Sequence, residues 1–565
     1  MKKLFLYISA AAVMGAAVVG CSSDFLNAPP QGALDEGTLA NEAGVNASLI
    51  SAYSMLDGWN DDWGTFNPPW GAAGSNWIWG SVVSDESYKG SEPGDQLEIQ
   101  QLELFQWQPG NEYLNIKFQA LYEGVARSNA TLKLMGNAED LGNEIPQKEA
   151  IIGEVRFLRA HYHFDLWKLW GKIPYYTEVD EDFRKPNDQD PVPSILEDFQ
   201  FAIDNLPVTQ DAVGRATRGA AQAYKGKVHL YNGQYAEAKA LFDAVVNSGQ
   251  YDLLDCYHDI FTQEMENGSE MIFAIQASVN DGTTEGQNGN FGDRLTYPNG
   301  GGTFSCCGFH QPSQNLVNSH KVDADGLPLL GTFNDADLDP AADPVDPRLD
   351  WTVGRDDVPF LTYGNHGPDW IRARNWAGPY SGKKFIHDPG ENVGSSWSDQ
   401  QLSTINKHII RYADVLLMLA ECEVEMGNLE RARELVNMVR ERAGNCSQGA
   451  DGFATSDIQS ADITWADYRV GTYEDVWTDQ AVAREAVRME RKLELAMEGH
   501  RFFDLRRWGV AVEVMNDYLS TEGGKRNYLD GTVMEARHML YPLPTVQIEL
   551  SKVDGVAQLQ QNNGY

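Results

Sequence analysis

Apolar side chains recur every three to four positions in several stretches of this 565-residue chain, the spacing of one face of a helix. From Glu154 to Trp170 the stripe is Val155, Leu158, Tyr162, Leu166 and Leu169. A return helix beginning near Pro193 carries Ile195, Leu196, Phe199 and Ile203. Ser48–Leu56 and Tyr113–Met135 form a further candidate pair, separated by a long insertion.

Two other helical stretches match each other 194 residues apart. Gly233, Tyr235, Ala238, Phe242 and Val245 correspond to Gly427, Leu429, Ala432, Val436 and Val439, and Cys422 falls opposite Val228, which marks it as core. This spacing after a glycine turn resembles the tetratricopeptide repeat, in which alanine lets two helices approach closely. The expected fold is mainly α, a tetratricopeptide-like scaffold of about four helical hairpins. It occupies about 40–57, 112–275 and 404–510, followed by a C-terminal segment at 511–565.

Residues 58–111 and 276–403 break the pattern. Eight of the thirty residues from Asp281 to His310 are glycine, and Asp335 to Asp350 mixes Pro with Asp. Such composition predicts loops, hairpins and short strands, and loops of this length in a compact domain usually carry function.

The N-terminus has its own pattern. Lys2 and Lys3 precede an apolar run from Leu4 to Val19, and Val18-Val19-Gly20-Cys21 reads as a lipobox. The run falls short of the roughly 20 residues a spanning helix needs, so cleavage is expected after residue 20 and lipidation at Cys21. The mature chain is then a single domain, 21–565, anchored through acyl chains. Ser22, Ser23 and Asp24 suit export to an outer membrane.

Without Lys2 and Lys3 the balance is 42 basic against 82 acidic residues, a formal charge of −40. That field repels nucleic acid and favours a neutral ligand. Arg372, Arg374, Lys383 and Lys384 form a local basic run, read as a solvated face with a carboxylate receiver as the alternative. Five cysteines remain beyond Cys21, with no zinc-type spacing, so no disulfide framework is expected. Cys306 and Cys307 are read as free thiols, a vicinal disulfide being the alternative.

Tryptophan changes the picture most. Five of 15 fall between Trp59 and Trp79, where even spreading would place about 0.6. Indole faces flanked by amides and carboxylates suit a pyranose, whose face is rich in C–H and whose rim carries hydroxyls. Two or three platforms at about 1 kcal/mol each, with hydrogen bonds, give roughly millimolar to micromolar affinity. The stacking candidates are Trp59, Trp63, Trp70, Trp77, Trp351, Trp370 and Trp376, and the polar candidates are Asp61, Asp62, Asn76 and Arg372. Packing of loops onto the scaffold is the other role open to each ring.

Catalysis is not expected. With 82 acids some carboxylates must lie close together, but the separation that would indicate glycoside hydrolysis is not legible in sequence. HExxH, GxSxG and P-loop motifs are absent. Asp323, Asp325 and Gly326 read as a turn before Leu327 and Pro328, and no cofactor is expected. Calcium at Asp335, Asp337, Asp339 and Asp343 stays open as the alternative.

Six segments together resemble the SusD/RagB family of outer-membrane nutrient-binding lipoproteins: RFLRAHYHFDLWKLWGKIPYY (156–176), GSEMIFAIQ (268–276), RYADVLLMLAECEVEMGN (411–428), EGHRFFDLRRWG (498–509), YPLP (541–544) and QNNGY (561–565). Physically these read as scaffold: Leu493, Ala496 and Met497 form an apolar stripe, while Arg501, Asp504, Arg506 and Arg507 can pair with one another. The resemblance implies a cell-surface lipoprotein that closes over a SusC-like TonB-dependent transporter and hands it captured oligosaccharide. A surface glycoside hydrolase, or a transporter lid binding a non-sugar nutrient such as a peptide, is the alternative. Many relatives carry an aromatic where this chain has Cys306-Cys307, and Phe304 or Phe309 is expected to replace it.

Overall fold

The apolar stripes form the helices they predict. The fold is given by a computed structural model, which describes residues 36–58, 69–279, 281, 288–300, 304, 306–390 and 402–565. The principal helices are α1 (Glu42–Tyr53), α2 (Glu112–Asp140), α3 (Lys148–Trp170), α4 (Val192–Asn205), α5 (Arg218–Tyr231), α6 (Tyr235–Val246), α7 (Tyr412–Glu425), α8 (Leu429–Ala443), α9 (Gln480–Glu494), α10 (Arg501–Arg507) and α11 (Ala511–Gly523). Residue contacts group the chain into two units. One comprises residues up to Ala47 with Lys133–Pro146, and within it the Asn143 amide donates to the Ala40 carbonyl at 2.6 Å. The other, Ser48–Leu132 with Gln147–Tyr565, contains everything described below.

Here the hairpins stack in chain order: α3 packs on α4, α4 on α5, α5 on α6, α6 on α7, α7 on α8, and α9 covers α7 and α8. The internal repeat is real in three dimensions. Gly233 (φ +71°) and Gly427 (φ +82°) each turn the chain through the left-handed region between the two helices of a hairpin. Ala238 and Ala432 are fully buried, as are Cys422 and its counterpart Val228. Tyr162 of α3 donates to the Ala52 carbonyl of α1 at 2.6 Å, and Ser48 bonds Thr131 of α2 at 2.7 Å, which closes the first hairpin against the second.

Several charged residues of the shared segments lie in buried ion-pair clusters. Arg411 donates to Glu270, Glu494 and Glu498. Arg442 pairs with Glu270 and Glu494, and Arg348 with Asp346, Glu490 and Glu494. A second branch runs from Lys227 through Asp414, Arg491, Asp504 and Arg507 to Glu421. Gly499 of EGHR is needed because its neighbours are backbone: a Cβ there would lie 2.2 Å from the Ser75 carbonyl oxygen. The closing QNNGY is equally structural, with the Asn562 amide bonding the Trp170 and Tyr541 carbonyls.

The irregular segments contain the short elements expected of them. Strand β1 (Ser87–Gly90), from the first, pairs antiparallel with Phe309–Pro312 of the second. Pro69–Ala72 packs on Phe291–Thr296, and Met271–Ile275 pairs with Lys407–Arg411, returning the second insertion to the scaffold. Two disulfides correct the cysteine reading. Cys256 is joined to Cys446 across 190 residues, tying the chain beyond α6 to the chain beyond α8, and Cys306 is joined to Cys307. The odd count arises from the buried thiol of Cys422.

Candidate functional site

The candidate residues separate into three groups. Trp59, Asp61, Asp62 and Trp63 lie outside the described residues. Trp77, Trp351 and Trp370 are buried to 2%, 1% and 5% exposure and correct the expectation that they offer stacking faces. Trp77 donates its indole N–H to the Gly292 carbonyl at 3.2 Å and meets Phe309 and His310. Trp351 stacks on His258, with centroids 4.1 Å apart, and Trp370 lies among Phe304, Phe360 and His366. Segments without long helices have no apolar stripe to bury, so large rings supply their core. Phe304 and Phe309 are buried as well and expose no replacement platform.

Asn76, also buried, takes a left-handed conformation (φ +56°) and donates to Asp165 on α3 at 3.2 Å, fastening the first insertion to the scaffold. The basic run divides. Lys383 is buried and donates to the carbonyls of Asp350 and Pro359, and Lys384 is buried against Glu498. This corrects the reading of a solvated face. Burial pushes Lys383 down to about 7 and Lys384 down to about 8, partly opposed by Asp350 and Glu498 respectively.

Trp70, Trp376 and Arg372 remain open to solvent in part. Trp70 is half-buried over Phe291, planes 10° apart, with the buried Arg294 guanidinium 5.4 Å from its ring. Trp376 is half-buried and stacks on Tyr528, centroids 3.9 Å apart and planes 17° apart. Each ring of that pair covers one face of the other. Neither indole N–H, of Trp70 or Trp376, finds an acceptor among the described residues.

The Trp376 face is the better built. The short helix Arg374–Ala377 packs against β1, and Arg372, just before it, donates to Glu92 at 2.5 Å, Asp95 at 2.8 Å and Ser91 at 3.1 Å. These bonds fix the second insertion to the loop after β1. Tyr528 is fixed by donating to Glu103 at 2.7 Å, and the Lys89 amide donates to the same oxygen. Burial pushes Glu103 up to about 7, against the pull of Tyr528 and Lys89. Burial, and then Glu103, keep the Tyr528 hydroxyl protonated. An aromatic pair thus stands beside a guanidinium and two carboxylates, which suits a ligand with one apolar face and a hydroxylated rim. Tyr528, in the C-terminal segment, carries no local signal that sequence reasoning could have used.

The acids of the second insertion are occupied locally. Asp323 accepts from the amides of Asp325 and Leu327, the turn expected, and Asp337 pairs with Lys525. Asp343 accepts from the Asp339 amide. Among the described residues no group of three or more His, Cys, Asp or Glu is arranged to hold a metal ion. No described helix is long and apolar enough to cross a membrane.

The profile of the SusD family matches residues 269–565, more than half of the chain. The chain belongs to the SusD family. A second profile, described as starch-binding and associating with the outer membrane, matches residues 31–230 of this SusD-family protein. A SusD-like protein of Formosa agariphila is 27% identical over 455 residues, 75% of each chain. Among solved structures, surface glycan-binding protein A of Bacteroides thetaiotaomicron aligns over 93% of this chain and 99% of its own, with TM-score 0.65 and 20% identity. A laminarin-binding SusD-like protein aligns over 93% and 100%, with TM-score 0.64 and 24% identity. The SusD fold extends across the whole described scaffold. Three of the family segments found in sequence supply Glu270, Arg411 and Glu498 to the Arg411 network, and none of the six contains Trp376 or Tyr528.

Proposed function

We propose that this protein is an outer-membrane lipoprotein, anchored through Cys21 and facing the cell exterior, that captures neutral oligosaccharides and passes them to a SusC-like TonB-dependent transporter. It performs no chemistry on the glycan. The observation that carries the reading is the half-buried Trp376–Tyr528 stack near Arg372, on the irregular part of a SusD scaffold. Structural neighbours that bind surface glycan and laminarin support it. So does the charge of −40 on the mature chain, which disfavours polyanions. Trp59, Trp63, Asp61 and Asp62 remain candidate contacts within this reading.

The test is affinity electrophoresis of the chain lacking residues 1–21 in gels containing laminarin, starch, xylan or pectin, with Trp376→Ala alongside. Retardation by at least one polysaccharide, weakened about five-fold in the variant, is the expected result. Retardation that the variant leaves unchanged would remove the Trp376 face from the site. Release of reducing ends from a retained polysaccharide would instead make the protein a hydrolase.

A further inference from the structure

A second built recess lies where the helical scaffold meets the Asp325–Leu327 turn of the second insertion. Between the C-terminal end of α8, the strand-free segment Val470–Asp479 and the start of α9 runs an open groove of about 990 Å³. Tyr473 and Trp477 line it as an edge-to-face pair, centroids 5.1 Å apart, and both rings are half-buried. Asp325, Glu441 and Asp475 stand along it as exposed carboxylates with no ion pair among the described residues.

The floor is rigid. Arg440 donates to the Gly471 and Gly326 carbonyls at 2.6 Å each, and its charge is met by buried Glu490 at 2.8 Å. Gly326 and Gly471 touch backbone to backbone, since a Cβ on Gly326 would lie 2.5 Å from the Gly471 nitrogen. The Tyr473 amide donates to Asn437 at 2.8 Å, which sets the ring. Its hydroxyl, however, is buried without any hydrogen-bond partner among the described residues. Burial pushes that phenol up to about 12, so it stays a donor. A buried hydroxyl left unpaired costs stability unless something else completes it.

We propose that this groove is a second oligosaccharide site, with the rings of Trp477 and Tyr473 as its platform and the Tyr473 hydroxyl and neighbouring carboxylates bonding the sugar rim. It shares no residue with the Trp376 face, and it rests on the glycan reading of the protein. Arg440, the cation in the groove lining, is spent on Glu490, and Arg433, which donates to the Tyr473 carbonyl, is paired with Glu430, so a neutral glycan is the matching chemistry. Two sites on one chain would raise the retention of a long polysaccharide well above that of either alone.

The same four gels decide it, with Trp477→Ala, Tyr473→Phe, Trp376→Ala and the Trp376→Ala/Trp477→Ala double variant. Trp477→Ala is expected to weaken retention about five-fold and the double variant to lose it. Tyr473→Phe is expected to weaken it about three-fold with an unchanged thermal midpoint, which separates lost contact from lost fold. If Trp376→Ala weakens retention while Trp477→Ala and Tyr473→Phe match the parent, the glycan reading stands and the second site falls. If no polysaccharide retards the parent, the glycan reading itself fails and takes the groove with it.

Discussion

Replacing Arg411 with Met tests whether the shared segments act through buried charge. Arg411 is 1% exposed and makes five hydrogen bonds, at 2.5–3.0 Å, to Glu270, Glu494 and Glu498, one of them to the Glu494 carbonyl. Met roughly fills the stem's volume, so the main loss is the guanidinium. Glu494 keeps Arg348 and Arg442, Glu270 keeps Arg442, and Glu498 keeps Lys384. Removing one partner from a buried ionic cluster costs about 3–5 kcal/mol, because the carboxylates stay desolvated.

The pH dependence gives the sharper check. Burial raises Glu498, but Arg411 and then Lys384 outweigh it and hold the carboxyl well below its ordinary value of 4.5. Glu494 is likewise held low, burial being outweighed by Arg442, Arg411 and Arg348. A depressed carboxyl stabilises the fold above its unfolded pKa and loses that contribution as pH falls through the folded one. The Arg411→Met penalty should therefore be full at pH 7 and shrink between about pH 4.5 and pH 3. Urea unfolding of both proteins at pH 7 and pH 3 measures it without screening the charges. A penalty under about 1 kcal/mol at pH 7, or one equal at both pH values, would refute the assignment.

Four further outcomes are expected. Trp77→Ala should cost about 3–5 kcal/mol, because it opens a cavity and orphans the Gly292 carbonyl, and its loss of glycan retention should follow the folded fraction measured by circular dichroism. Trp376→Ala should instead weaken binding with the midpoint little changed. Glu103→Gln should gain on the parent as pH rises: burial lifts Glu103 from 4.5 to about 7, so stability present below 4.5 is lost through 7. The variant should gain by about 2–3 kcal/mol between pH 5 and pH 8 in thermal melts, and a constant difference would disprove it. Replacing Cys256 and Cys446 together by Ser opens a loop of 190 residues and should cost about 2–5 kcal/mol, read as a lower midpoint that reducing agent, left with only Cys306–Cys307 to act on, shifts less than it shifts the parent's.

The scaffold was legible because helical hairpins write their geometry locally. Gly233 and Gly427 mark turns through φ, and Ala238 and Ala432 mark close approach, each within a few residues of the helix it shapes. The insertions carry no such code. Trp77, Trp351, Trp370 and Trp376 look alike in sequence, since an indole that builds a loop core and one that faces a sugar need the same flanking glycines, prolines and amides. Burial separated them, and burial depended on partners far along the chain: Gly292 for Trp77, His258 for Trp351, Tyr528 for Trp376. Lys383 misled for a related reason. Charge predicts solvent unless backbone carbonyls converge on the ammonium, and the carbonyls of Asp350 and Pro359 do so only after the insertion has folded. The cysteine count was ambiguous in the same way, because assigning Cys422 to the core already left an even number to pair. A ligand surface composed on irregular chain is therefore free to change without disturbing the Arg411 network. Under the proposed function, Trp376 and Trp477, not the shared segments, are the positions where specificity is to be sought.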